Sequence, residues 1–92
     1  MGEARTTITI VNRRGLHARA SAKFVGAVAV LPENVTVTVS KPPNSAAGGS
    51  ILGLMMLGAA KDDTVEVAVE GENAHAVLAD LAALIASGFG ED

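Results

Sequence analysis

Two histidines are the side chains best suited to chemistry in this sequence, and their surroundings differ. His17 follows Gly15-Leu16 and precedes Ala18-Arg19, where a strand pattern gives way to a helix pattern. The first N–H groups of a helix lack internal partners and carry the positive end of its dipole, so an anion fits there. His75 lies near the start of another predicted helix, off its apolar stripe, and we expect it to face water.

Arg19 adds a second component of an anion site beside His17. A guanidinium can bind two phosphate oxygens at once, and unit charges about 4 Å apart attract by roughly 4 kcal/mol at an effective dielectric of about 20. We expect positive surroundings to disfavour imidazolium and to keep His17 neutral and nucleophilic. These residue types suit a transient phosphohistidine. A histidine that only caps the helix, next to an arginine on the surface, would show the same spacing.

Other reactive groupings are missing from the sequence. No histidine or carboxylate cluster has metal-ligand spacing, and neither a nucleophile elbow nor a P-loop lysine occurs. We therefore expect no metal site and no cofactor. The plentiful carboxylates fall on predicted exposed strand positions or turns, and we interpret them as a solvated face: Asp62, Asp63, Glu66, Glu70 and Glu72.

Composition limits the class of protein further. Residues 1–92 are predicted to form one domain, since the chain is 49% hydrophobic and 18% charged. Two aromatic residues and a net charge of −3 argue against a nucleic-acid partner. The longest mainly apolar stretch, Ile51 to Ala60, is shorter than the roughly 20 residues of a membrane span. The absence of cysteine agrees with a reducing compartment. We expect a cytoplasmic monomer without a membrane partner.

Hydrophobic periodicity predicts the elements that position His17. Alternation in β-branched segments indicates strands over 7–11, 35–39 and 64–69, and 46–49 forms a weak edge strand after a turn at 41–45 that contains two prolines. Helical spacing predicts helices over 18–29, over 51–57 with Ser50 as N-cap, and over 72–87 with Gly88 as terminator. This order predicts an α+β sandwich with helices on one sheet face.

Two segments carry a resemblance to a known family. Gly15-Leu16-His17-Ala18-Arg19-Ala20-Ser21-Ala22-Lys23-Phe24-Val25 resembles the active-site signature of HPr, the histidine-containing phosphocarrier of the bacterial phosphoenolpyruvate phosphotransferase system. Ser50-Ile51-Leu52-Gly53-Leu54-Met55-Met56-Leu57-Gly58 is similar to that family's regulatory-serine segment. The resemblance implies an HPr-like open-faced sandwich, in which three helices pack on one face of a four-stranded antiparallel sheet (β-α-β-β-α-β-α).

The resemblance also implies a function. His17 would accept a phosphoryl group on its δ nitrogen from phosphorylated enzyme I and pass it to a IIA-type domain, so that the chain is a carrier and not an enzyme. Arg19, with the backbone amides of Ala18 and Arg19, would bind the phosphate. Ser50 matches the serine that HPr kinase/phosphorylase modifies in some bacteria, although an N-cap role alone also explains it.

The segment from Ser50 to Gly58 also implies a surface on which partner proteins dock. The helix after Ser50 is apolar on all sides, so part of it must stay exposed in a small domain, and exposed apolar patches mark partner sites. Methionine side chains suit a surface that accepts several partners, while a purely core role for them stays open. The expected docking residues are Ala20, Ile51, Leu52, Leu54, Met55 and Met56.

The sequence departs from the family at two places and leaves other functions open. Ala20 replaces the usual proline after the arginine, and Arg13-Arg14 add positive charge before the motif. The ending 87–92 looks like that of the nitrogen-related NPr branch, which does not decide between sugar transport and regulation. One alternative is an interaction module switched only by phosphorylation of Ser50, and another is a small-ligand sensor, for which no convergent polar pocket is visible.

Overall fold

The computed structural model describes residues 2–91 of the chain. In chain order the elements are β1 (Gly2–Thr9), α1 (Ala18–Ala29), β2 (Thr36–Lys41), β3 (Asn44–Ala47), α2 (Ile51–Met56), β4 (Thr64–Gly71) and α3 (Ala74–Ala86), with a 3₁₀ turn at Gly88–Gly90. This confirms the predicted β-α-β-β-α-β-α order. Within the described residues, no helix is long and apolar enough to cross a membrane.

The four strands form one antiparallel sheet in the order β1-β4-β2-β3. The register aligns Val37 with Val69 and Val39 with Val67, so the buried side chains of neighbouring strands lie on the same face. Side chains alternate between the two faces of a strand, which leaves Thr7, Thr9, Thr36, Thr38 and Glu66 on the other face. The sheet is therefore covered by helices on one side only.

The helices bury one apolar face each against this sheet and against one another. α3 packs on β1 and β4, and α2 packs between α1 and β3. Phe24 of α1, Leu54 of α2 and Ile85 of α3 are buried in the shared core. A short α2 suffices because Leu54 is completely enclosed and Ser50 caps the helix.

Several predicted boundaries differ from the structure. β1 begins at Gly2 and ends at Thr9, because its first half pairs with Val67 to Gly71 of β4, and local alternation does not reveal such long-range pairing. The expected five-residue turn at 41–45 is wrong. Only Pro42 and Pro43 turn the chain, since Lys41 pairs with Asn44 and Ser40 with Ser45 in a tight hairpin.

Candidate functional site

His17 occupies the N-cap position of α1, as the sequence predicts for the strand-to-helix junction. The preceding Gly15 has a φ of +64° and packs so closely on the chain that an added Cβ would lie 2.3 Å from the carbonyl oxygen of Ala59. Leu16 N donates to that same oxygen at 2.9 Å. Only glycine fits this backbone approach, so it determines where the segment leading to His17 is anchored.

The imidazole of His17 is partly buried and held from one side. Its Nε2 lies 2.8 Å from Oε2 of Glu91, and the side chain keeps 22% of its exposure. Although His17 is the N-cap residue, its ring makes no capping hydrogen bond, so helix capping by the imidazole does not account for this side chain. Among residues 2–91, Nδ1 has no hydrogen-bond partner, which leaves this nitrogen available.

The start of α1 supplies free hydrogen-bond donors next to His17. The first helical bond runs from Ser21 N to His17 O at 2.9 Å, and the N–H groups of Ala18, Arg19 and Ala20 find no backbone partner within residues 2–91. Together with the helix dipole, such amides attract an anion. Both Ala18 and Arg19, the residues predicted to bind phosphate, are exposed.

A pocket of about 420 Å³ opens beside the ring. Its lining residues are Arg13, Arg14, His17, Arg19, Lys23, Gly90 and Glu91. Four of these side chains are cationic, although the whole chain has a net charge of −3. The positive charge is therefore concentrated where a phosphoryl group would arrive, and the field there favours an anion.

Glu91 places an anion beside His17, in addition to the positive surroundings that the sequence predicts. Burial raises the pKa of the Glu91 carboxyl, but hydrogen bonds from His17 and Asn12 and the nearby positive charges of His17 and Lys23 outweigh this, so its pKa is lowered. Glu91 is therefore ionised at neutral pH, and the charged group nearest to Nε2 is an anion. The sequence pattern offered no signal for this contact, since 74 positions separate the two residues.

Asn12 is a second member of the site that sequence reasoning missed. Its side chain is buried, and Nδ2 donates to Gly15 O at 2.9 Å and to Oε1 of Glu91 at 3.1 Å. The same amide group therefore holds both the turn before His17 and the carboxylate beside it. Asn12 Oδ1 is buried without a hydrogen-bond partner among the described residues. An asparagine three residues past the end of a strand resembles any turn residue, so its role depends on the tertiary contacts.

Ser50 is the N-cap of α2, as predicted. Its Oγ accepts a hydrogen bond of 2.9 Å from Gly53 N, and its side chain is partly buried. A cap of this kind satisfies one of the unpaired amides at the start of the helix. The hydroxyl therefore has a structural role whether or not it is ever modified.

The apolar surface of α2 is smaller than the predicted docking set. Ile51, Leu52, Met55 and Met56 are exposed, with Leu52 at 68% and Met56 at 75%, and we call these four residues the α2 patch. Ala20 and Leu54 do not belong to it, because both are completely buried in the core. Including them among docking residues was wrong: the sequence does not reveal which side of the wholly apolar α2 meets the core, where Leu54 lies, nor that Ala20 of α1 is enclosed.

Across the described part of the chain, the remaining residues with reactive side chains do not form a second site of this kind. His75 is exposed at the start of α3. Within residues 2–91, no three histidine or acidic side chains cluster in a way that could hold a metal ion. Asp63 instead makes structural contacts, accepting from Ala60 N at 2.9 Å and pairing with Lys41 at 3.1 Å.

Comparison with known proteins agrees with this arrangement. The family model for the PTS HPr component phosphorylation site matches residues 4–87. Phosphocarrier protein HPr of Pseudomonas aeruginosa is 44% identical over 91% of this chain and 92% of its own length. Phosphocarrier protein NPr of Shewanella violacea is 33% identical over 91% of this chain and 90% of its own.

Among solved structures, the crystal structure of HPr from Thermoanaerobacter tengcongensis superposes with a TM-score of 0.88 at 34% identity, covering 97% of this chain and 98% of that one. An antiparallel sheet with helices on one face and a histidine at a helix N-terminus define a class of small phosphocarrier domains. Within that class, the chain belongs to the HPr family of the phosphotransferase system.

Proposed function

We propose that this HPr-family chain accepts a phosphoryl group on Nδ1 of His17 from phosphorylated enzyme I and passes it to a IIA-type acceptor. The observation that carries the proposal is the unequal state of the two ring nitrogens. Nε2 is engaged by Glu91 at 2.8 Å, whereas Nδ1 has no hydrogen-bond partner within residues 2–91. The nitrogen left free is the one that the family resemblance implies.

Phosphoryl transfer at this site requires charge stabilisation and positioning more than covalent chemistry by the protein. As the donor's nitrogen–phosphorus bond breaks, a bond forms between phosphorus and Nδ1. The unpaired amides of Ala18 and Arg19 and the guanidinium of Arg19 are available to bind the phosphoryl oxygens. All the hydrogen-bond donors that bind the phosphoryl oxygens in this account belong to the chain itself, so the proposed step uses no cofactor.

Docking would use the α2 patch, since α2 packs against α1, the helix that begins at His17. Enzyme I and the IIA-type acceptor would contact this apolar patch in turn, with the cationic pocket facing the reacting phosphoryl group. The relatives include both HPr and NPr proteins, so the proposal covers sugar uptake and nitrogen-related regulation alike. A cytoplasmic, monomeric state stays a prediction.

Labelling with phosphoenolpyruvate and enzyme I tests the carrier role. The wild type should gain phosphate that acid removes, because phosphohistidine is acid-labile and phosphoserine is not. His17→Ala should gain none, and His75→Ala, which removes the other histidine from an exposed position, should label like the wild type. Equal labelling of His17→Ala and the wild type, or no labelling of the wild type, contradicts the proposal.

A second candidate function is regulation through Ser50, because its hydroxyl lies at the N-cap of the helix that carries the α2 patch. A phosphate would add a charge of about −1.5 to −2. The helix N-terminus tolerates that charge, whereas an apolar docking surface does not. ATP and HPr kinase/phosphorylase should then give acid-stable label on the wild type and none on Ser50→Ala. Absence of that label from the wild type contradicts this candidate and leaves the carrier role untouched.

A further inference from the structure

Arg13 and Arg14 are cations of the His17 pocket to which the proposed transfer step gives no part. A hydrogen bond of 3.2 Å from Gly15 N to Asn12 O closes a turn that has the two arginines at its central positions. Asn12 is buried, and its Nδ2 also donates to Gly15 O at 2.9 Å. Both ends of the turn are therefore fixed, and the turn presents two guanidinium side chains at the pocket.

The charges of these two arginines are available to whatever occupies the pocket. Arg13 and Arg14 are exposed, and neither side chain makes a hydrogen bond or an ion pair with any of residues 2–91. Lys23 differs from them, because its Nζ donates to the carbonyl oxygen of Phe89 at 2.7 Å. An ion pair within the fold would offset a guanidinium charge, and the described residues provide none for this pair.

The two arginines change the charge balance of the pocket. With His17 neutral, Arg19, Lys23 and Glu91 alone would give the lining side chains a net charge of +1, and Arg13 and Arg14 raise it to +3. A phosphoryl group brings about −1.5 to −2. The pocket without the two arginines would thus leave part of that charge uncompensated, whereas the pocket as it stands compensates all of it.

We propose that Arg13 and Arg14 act by charge to retain the phosphoryl group on His17. The inference rests on the proposed carrier function and adds a control on it: the carrier stays loaded when acceptors are scarce. Uptake from the donor becomes more favourable, and both transfer onward and loss to water become less so.

The two reactions that unload the carrier respond to this charge for the same reason. In transfer back to enzyme I, the bond between Nδ1 of His17 and phosphorus breaks while a nitrogen–phosphorus bond forms on enzyme I, so the anionic group leaves a cationic pocket. In hydrolysis, a water oxygen bonds to phosphorus and the electron pair of the broken bond stays on Nδ1. One proton of the water passes to the ring, and the other stays on the phosphate. Nearby cations oppose protonation of the ring and stabilise the bound anion.

Paired substitutions in the turn test this inference. Wild type, Arg13→Gln/Arg14→Gln and Arg13→Lys/Arg14→Lys are phosphorylated with labelled phosphoenolpyruvate and enzyme I and then purified. At one neutral pH, ³¹P NMR records the loss of phosphate from each isolated chain. Incubation with an equal concentration of unphosphorylated enzyme I, followed by electrophoresis, gives the equilibrium division of label. The control Arg5→Gln/Lys61→Gln removes the same charge from exposed positions that do not line the pocket.

We expect the glutamine pair to shift the equilibrium constant toward enzyme I about fivefold and to lose phosphate about fivefold faster, since exposed charges contribute modestly. The lysine pair keeps both charges and should behave like the wild type, as should the control pair. High salt should reduce the difference between the wild type and the glutamine pair, because salt screens interactions between exposed charges.

Several results would overturn the inference while the carrier role stands. Equal equilibrium constants and hydrolysis rates for the wild type and the glutamine pair would do so. A difference that the control pair or the lysine pair shares, or that high salt leaves unchanged, would also contradict it. Slower labelling of the glutamine pair with an unchanged equilibrium would assign the arginines to the encounter with an acidic partner instead. A wild type that gains no phosphoryl group overturns the proposed function, and this inference with it.

Discussion

Lys23 Nζ donates a hydrogen bond of 2.7 Å to the carbonyl oxygen of Phe89, tying the C-terminal turn to α1 beside the His17 pocket. Phe89 adopts a φ of +56°, a left-handed conformation that costs a residue with a side chain about 1–2 kcal/mol. Its ring is buried in the core, and that burial offsets the cost. The conformation presents Glu91 to His17, so stability and site geometry are coupled at this turn.

Replacement of Phe89 should therefore weaken both the stability of the fold and the geometry of the site at His17. We expect Phe89→Ala to lower the free energy of unfolding by about 3 kcal/mol, since a buried aromatic ring is lost. Urea denaturation measures the change. Val30→Ala is the control, because Val30 is 83% exposed and its truncation should change stability by no more than about 0.5 kcal/mol. A Phe89→Ala protein as stable as the control would show that the ring contributes little to the core.

Arg19 should matter for transfer and not for folding. Its side chain is exposed and lines the cationic pocket. Loss of a charge-assisted hydrogen bond costs about 1.5–3 kcal/mol, so Arg19→Ala should slow uptake of phosphate from enzyme I roughly tenfold to hundredfold. Rapid-quench labelling measures this rate. Arg5→Ala removes a guanidinium from the exposed face of β1 and should label at the wild-type rate; equal slowing in both variants would argue for a nonspecific charge effect.

A charge introduced into the α2 patch should selectively weaken the binding of partner proteins. Leu52→Asp places a charge in the patch, where 68% of the side chain is already exposed, and should weaken binding to enzyme I at least about tenfold. Isothermal titration measures the affinity. Val30→Asp introduces the same charge at an exposed apolar position outside the patch and should bind normally. If both variants bind equally well, the docking surface lies elsewhere.

Asp63 predicts a specific pH dependence of stability. A hydrogen bond from Ala60 N, followed by a hydrogen bond and the charge of Lys41, lowers the pKa of the Asp63 carboxyl, while burial opposes the shift. Because this pKa lies below the ordinary value of 3.8, the contacts stabilise the fold above that pH and are lost as pH falls through the lowered value.

Asp63→Ala should accordingly be less stable than the wild type at neutral pH, and the difference should shrink as the solution becomes strongly acidic. Chemical denaturation at a series of pH values measures it. Asp80→Ala removes an exposed carboxylate from α3 that makes no hydrogen bond or ion pair within residues 2–91, and it provides the comparison. A difference between Asp63→Ala and the wild type that is independent of pH would contradict the stated cause.

The local sequence pattern was sufficient to predict the helices and strands and part of the candidate site. The helix over 18–29 was predicted to the residue, and Ser50 was identified as an N-cap, because periodicity and capping depend on residues a few positions apart. The order of elements and the position of His17 at a helix start follow from the same short-range rules. These features determined the fold class and indicated where an anion would bind.

Contacts between distant segments decided the rest. Glu91 contacts Asn12 and His17 across 79 and 74 positions of sequence, and neither Asn12 nor Glu91 lies in a motif that predicts this contact. The burial of Ala20 and Leu54 likewise depends on which side of each helix faces the sheet. Composition and spacing describe what a residue can do, whereas the packing of the chain determines which groups surround it. For this reason the sequence indicated His17 as the proposed nucleophile, and only the tertiary structure revealed the carboxylate that contacts it.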